Sequence, residues 1–255
     1  MTGALVVFRK ELWSYCTGPV SWMIAVVFYL WRGYELTSLC RYADAMRADP
    51  DVFSSWTYTL SSTSAMVIFV PGLLTMRAFA EERRTGSIET LMTAPVTDFG
   101  VVLGKWGAAL AFYSLLWLPS ALLLAVLQAA PFLGTELSFG PVFAAYLGMF
   151  LLSALLLAVG CLCSSLTDNV LLAAILAILF DIGLLSLPNL VRNNLGDLAQ
   201  SYYVRELLDK LDVGRNFNDW FARGLIDTSQ VAFFVGGVLF CLYLCTSAVA
   251  ARRLA

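Results

Sequence analysis

Sixty-two consecutive residues, Trp106 to Thr167, carry a single charged side chain, Glu136. A helix rises about 1.5 Å per residue, so the ~30 Å hydrocarbon core of a bilayer takes about 20 apolar helical residues. The stretch is too long for one crossing and suits two, divided near Pro131–Gly140. Two more runs have the length of a crossing: Asn169–Val191, with Asp181 as its one charge, and Thr228–Ala251, with none. Composition excludes the soluble alternatives. Apolar residues make up 60% of the 255, and charged residues 13%, against the usual ~25%. Disorder would need the opposite balance. Sixteen basic against 18 acidic residues leave no basic excess to draw nucleic acid.

The charge-free runs place spans at about 104–129, 141–164, 170–190 and 230–250. Two earlier spans are less clean. Residues 19–38 contain Arg32 and Glu35, three apart on one helix face and able to pair, with Arg32 placed to snorkel outward. Residues 56–79 open on hydroxyl side chains, become apolar from Met66, and hold Pro71-Gly72, where a kink is expected. The reading is an all-α polytopic membrane protein, one transmembrane domain over 1–255 with six transmembrane helices. No cleavable leader is evident in its first residues.

Two segments lie beside the spans. In residues 1–18, Leu5, Phe8, Leu12 and Tyr15 recur at helical spacing, and Gly18-Pro19 ends the pattern. This predicts an amphipathic helix in the membrane interface; the alternative is a cytoplasmic extension of the first span. Residues 191–229 hold eleven of the chain's charges and read as a water-exposed extracytoplasmic cap. Leu207, Leu208 and Leu211, then Trp220, Phe221 and Leu225, predict two short amphipathic helices joined near Val213-Gly214.

Histidine is absent, which removes Ser-His-Asp and Cys-His catalysis and the HExxH zinc site. The six cysteines show no metal-ligand pairing, and four of them, in apolar runs, behave as small hydrophobes. Six spans put both termini on one side. Lys and Arg divide eight against eight between the two sides, so the positive-inside rule does not orient the chain.

The informative stretch is Met76–Lys105. The second span is expected to continue into Glu81-Glu82-Arg83-Arg84, and Thr85-Gly86-Ser87 to break it, with Thr85 or Ser87 capping a new helix. That helix runs from Ile88 to about Thr93 and stops before Pro95. Ile88, Leu91 and Met92 share one face and Glu89 lies on another. Thr97 caps the next helix, with Asp98 in its first turn. A short apolar knob between charged collars suits docking into a partner's groove.

This stretch resembles the ABC-2 type transporter permeases. The pattern is carried by Arg77, Glu81, Glu82, Arg83, Gly86, Ser87, Glu89, Leu91, Pro95, Val96, Gly104 and Lys105. Arg9-Lys10-Glu11-Leu12 before Gly18-Pro19 resembles the family's opening helix. Gly160 with Ser164–Asn169 resembles its turn between the fourth and fifth spans. Arg223-Gly224-Leu225-Ile226-Asp227 resembles the branch containing gliding-motility-associated permeases.

The resemblance implies cytoplasmic termini in a bacterial inner membrane. It makes 80–103 a coupling loop in which Glu81, Glu82, Arg83, Thr85, Gly86, Ser87, Ile88, Glu89, Leu91 and Met92 meet a cytoplasmic ATPase. A nucleotide-binding GxxxxGK[ST] is missing: Gly104-Lys105 is followed by Trp106, and Phe99 holds the first glycine's place. ATP and Mg would therefore sit on the partner, and this chain would bind no cofactor of its own.

The implied function is the permease subunit of an ATP-driven exporter, paired with a second permease copy or paralogue. The alternative is a non-transporting scaffold or force-transmitting subunit of a secretion or gliding-motility machine, with an auxiliary periplasmic-domain subunit. Asp181 stands apart, because a carboxylate midway along a span is expensive. It reads either as a polar contact in a substrate path or dimer interface, or as a locally bonded or protonated residue.

Overall fold

The computed structural model describes residues 2–46, 65–86, 97–129, 139–194, 210 and 212–253. Among them the chain is helical throughout: α1 (Thr2–Thr17), α2 (Pro19–Met46), α3 (Ala65–Thr75), α4 (Ala80–Arg84), α5 (Asp98–Ala129), α6 (Phe139–Leu166), α7 (Val170–Asn194), α8 (Val213–Asp219), a 3-10 turn (Phe221–Arg223) and α9 (Thr228–Arg253).

The boundaries follow local chemistry. Pro19 opens α2 at the position where a missing N–H costs nothing. Thr97 caps α5, its Oγ1 accepting from Gly100 N at 3.2 Å, and Asp98 sits in the favourable first turn. Asn169 caps α7 through Leu171 N at 3.0 Å. Asp212 caps α8 through Arg215 N at 2.9 Å, and Asp227 caps α9 through Ser229 N at 3.1 Å.

Among the described residues three stretches are long and apolar enough to cross a membrane, Asp98–Ser120, Val142–Leu166 and Thr228–Ala251, and Val170–Ser186 is a shorter apolar helix. Of the three, Val142–Leu166 in α6 is the most enclosed, and α3, α5, α7 and α9 all pack on α6. Its Met149, Leu152, Leu156 and Leu157 are fully buried. The outward faces of α2 (Trp22, Val26, Leu30), α7 (Leu171, Ile175, Leu179) and α9 (Leu239, Phe240, Tyr243) are exposed and apolar, as lipid-facing surfaces are. Inside a bilayer such helices are held by close packing and internal polar contacts rather than by expulsion of water.

Four expectations need correction. The second span does not run unbroken into Glu81–Arg84. Helix α3 stops at Thr75, residues 76–79 form a turn closed by Ala78 N on Thr75 O at 3.0 Å, and α4 begins anew at Ala80. The break is supported from α6, as described below.

The segment before α9 is not simply a water-exposed cap. Val213, Phe217 and Phe221 are buried in the main core, and Phe221 fills the notch at Gly148, where a Cβ would lie 2.5 Å from its ring. Phe221–Arg223 is a 3-10 turn ended by left-handed Gly224 rather than part of an amphipathic helix. Leu207, Leu208 and Leu211 lie outside the described residues.

Leu5 is exposed with Val6 and Trp13, while α1 buries Val7. The reason is a groove on α5: a Cβ at Gly104 would meet Ala4 O at 2.9 Å and Val7 at 3.1 Å. Finally, Arg32 pairs with Glu35 but does not snorkel. Its side chain is buried, with the guanidinium 5.2 Å from the centre of the Trp117 ring, and a cation on an indole face needs less water.

Candidate functional site

Lys105 is the hub at which α1, α4 and α5 meet. It stands on the second turn of α5, where the helix emerges from its Thr97 cap, and its side chain is 2% exposed. Its ammonium donates to Glu82 Oε1 at 2.7 Å and to Glu11 Oε1 at 3.1 Å, and it lies 5.4 Å from the centre of the Phe79 ring. Three elements distant in sequence (α1, α4 and α5) thus close on one cation. Removing an ion from water is expensive, and two carboxylates with an aromatic face offset that cost.

Tyr15 adds a second tie. Its hydroxyl donates to Leu74 O on α3 at 3.0 Å, and its ring stacks on Phe112 of α5 at 5.6 Å. Burial pushes the phenol's pKa up, so it remains a protonated donor.

Helix α4 is five residues long and could not persist alone. Its leading N–H groups are satisfied from α6. Ser164 Oγ accepts from Phe79 N at 3.1 Å and Ala80 N at 3.2 Å, and donates to Met76 O at 3.1 Å. One hydroxyl therefore both terminates α3 and starts α4. At the other end, Thr85 Oγ1 donates back to Glu81 O at 2.9 Å, and Gly86 takes φ of 71°, the left-handed close of a helix. Arg83 reaches Asp168 in the turn between α6 and α7 at 3.5 Å, with 7% of its side chain exposed. The pair Arg77–Glu81, at 3.7 Å, is exposed on both sides and contributes little.

We expect Ser164→Ala to destabilise α4 by about 1–3 kcal/mol, because two buried N–H groups lose their acceptor. Hydrogen exchange at the amides of α4 should accelerate, while the amides of α6 around Leu156 stay protected.

The structure thus brings Glu81, Glu82, Arg83, Thr85 and Gly86 onto one rigid mount. Ser87, Ile88, Glu89, Leu91 and Met92 lie outside the described residues. Asp181 is elsewhere, in the interior face of α7. Sequence reasoning missed Ser164 and Asp168 as site residues, and took Lys105 and Glu11 as pattern positions rather than as partners. The Ser164–Asn169 turn was the available signal, but spacing cannot show what it touches.

A family model described as "ABC-2 family transporter protein" matches residues 12–183, which takes in Glu82, Lys105, Ser164 and Asp168. The chain belongs to the ABC-2 transporter family. No curated protein matches it. ABC-2 permeases are multi-pass membrane subunits, and in their transporters hydrolysis belongs to a cytoplasmic ATPase partner. The permease's geometry accords with that division of labour: it offers a braced mount on one side of the membrane helices.

Asp181 is the permease's second candidate. It is fully buried, and among the described residues neither carboxylate oxygen has a hydrogen-bond partner. Full burial within this chain argues against a direct hydrogen bond across a face between copies.

Proposed function

We propose that the permease is the membrane half of an ATP-driven exporter. It crosses the bacterial inner membrane six times with both termini in the cytoplasm, and pairs with a second permease copy and with separate ATPase subunits that carry ATP and Mg. The single observation behind this reading is the buried Lys105 junction. A partner pressing on the segment that follows Gly86 would push a stem already bonded to α1, α5 and α6. Hydrolysis can move a membrane helix only through contacts that differ between the ATPase's two states. Ser87, Ile88, Glu89, Leu91 and Met92 supply those contacts, with Ile88, Leu91 and Met92 as the apolar knob. The Arg223–Asp227 segment supports placing the chain near the gliding-motility-associated branch.

The test is co-purification with candidate ATPases, followed by the double change Ile88→Asp and Leu91→Asp. Two carboxylates in an apolar groove should abolish complex formation and ATPase stimulation while the protein still folds. Survival of both activities would remove the docking assignment.

Asp181 fits a polar point on the transported molecule's path that is reached only when the helices packed around it part, since it is fully buried in this arrangement. A partnerless buried carboxylate costs stability, and such costs persist where function needs them. Asp181→Leu should therefore raise the thermal stability of the purified permease, by roughly 1–3 kcal/mol. In the same variant the stimulation of ATPase by substrate should fall. A stability loss would instead show that the carboxylate is structurally bonded.

A further inference from the structure

Between α1, the first turns of α2, the end of α3 and α4 lies a cavity of about 500 Å3, within the ~300–1,000 Å3 range of small-molecule sites. Its lining is two-sided. One wall carries Lys10, Glu11, Arg77, Glu81, Glu82 and Lys105; the other is apolar, with Val20, Ile24 and Leu73. The two walls meet where the interfacial helix turns through Gly18 into the first membrane helix. On the topology proposed above, on which this inference rests, the charged wall stands at headgroup depth and the apolar wall faces the hydrocarbon.

The charges balance, three cations against three carboxylates, but they are not equally committed. Lys105 is held by Glu11 and Glu82 at 3.1 and 2.7 Å. The other two pairs are loose. Lys10, 68% exposed, is 4.0 Å from Glu11, and Arg77 and Glu81 are 3.7 Å apart with both side chains exposed. Such pairs contribute little by themselves and can turn to a ligand. Lys10 and Arg77 suit a phosphate, and Arg77 can hold it with two parallel N–H groups. Glu81 suits a cationic N–H donor. The apolar wall suits an acyl chain.

We infer that this cavity binds an amine-headgroup phospholipid of the adjoining leaflet. The phosphate lies between Lys10 and Arg77, the ammonium on Glu81, and one chain along Val20, Ile24 and Leu73. An anionic lipid would bring a net charge to a wall that is already balanced. A choline lipid has no N–H for Glu81. The bound lipid would bridge α1 to α3 and α4, so it would stiffen the same junction that Lys105 closes. A ligand that binds only the folded form stabilises it by an amount that grows with the logarithm of its concentration above Kd.

The experiment is native mass spectrometry of the detergent-purified full chain, offered phosphatidylethanolamine, phosphatidylcholine and phosphatidylglycerol at equal concentration. One phosphatidylethanolamine per chain should be retained, with a preference of about tenfold, the size of one charge-assisted contact. Lys10→Glu reverses an exposed charge without touching the core, and Ser14→Trp fills the cavity from α1. Each should remove the preference. Melting temperature verifies that the variants fold, and Lys10→Glu carries the test if Ser14→Trp does not. Equal retention of the three lipids overturns the proposal, as does a preference that survives both variants. Soluble phosphoethanolamine competing as well as the whole lipid would show a headgroup-only site. Release of the lipid one-for-one on adding the ATPase would show a protein-docking pocket. Either result also overturns it.

Discussion

Replacing Lys105 with methionine should destabilise the junction by about 3–5 kcal/mol and abolish stimulation of the partner ATPase. The magnitude follows from what is left behind. Glu11 and Glu82 are 17% and 16% exposed, and each loses its 3.1 or 2.7 Å contact with the ammonium. Stranding a buried carboxylate costs far more than a surface pair contributes. The two carboxylates would then repel each other, and α4 would separate from α1. Arginine at the same position keeps the charge but is planar and larger than a point ammonium, so it should recover part of the stability. The triple change Glu11→Gln, Glu82→Gln and Lys105→Met removes the whole ionic set and should recover more than half of the lost stability. Thermal unfolding in detergent and ATPase stimulation in proteoliposomes measure the two effects separately. A triple variant less stable than Lys105→Met alone would contradict the electrostatic explanation.

Gly160→Ala should be nearly as damaging, through geometry alone. A Cβ at that position would lie 2.0 Å from Thr75 Oγ1 and 3.0 Å from Thr75 Cβ. Thr75 cannot swing away readily, since it is fully buried and its hydroxyl is bonded to Pro71 O at 2.8 Å. Overpacking of this kind costs about 1–3 kcal/mol. The functional loss should be larger than that figure suggests. Gly160 and Ser164 are four residues apart, on one face of α6. A wedge at 160 lifts Ser164 off the N–H groups of Phe79 and Ala80, and α4 loses its start. Thr75→Ala in the same chain removes the oxygen at 2.0 Å and should recover most of the melting temperature. If Gly160→Ala melts like the parent protein, the close approach of α3 and α6 does not hold in solution.

Much of the fold could be read from the sequence because a bilayer measures length and charge, and both are local properties. The charge-free runs mark α5, α6 and α9 directly, and the cap at Thr97 depends only on its own next three residues. What could not be read depends on distant partners. Nothing in Met76–Phe79 announces a break, since its acceptor, Ser164, lies 85 residues from Phe79. Phe217 and Phe221 stand among Asp212, Arg215, Asp219 and Arg223, which gives the segment the look of an exposed cap. Their burial is decided by a missing side chain at Gly148. The same holds for the site. Glu82 and Lys105 are recognisable as pattern residues, but their meeting, 23 residues apart and with Glu11 as a third member, is a property of the packed helices. Asp181 could be read as costly, while its lack of a hydrogen-bond partner among the described residues could not.

The mount should move as one body when the ATPase closes. Spin labels on exposed positions can report this in pairs: Lys10 on α1, Arg84 on α4 and Tyr243 on α9, in a complex where one permease copy is labelled. Between nucleotide-free and ATP-trapped states, the distance from 10 to 84 should stay constant while both distances to 243 change by at least about 1–2 Å, the scale of helix shifts in switching proteins. A change confined to 10–84, with both helices fixed relative to α9, would mean that the Lys105 junction opens instead of transmitting, and would contradict the coupling role assigned to it.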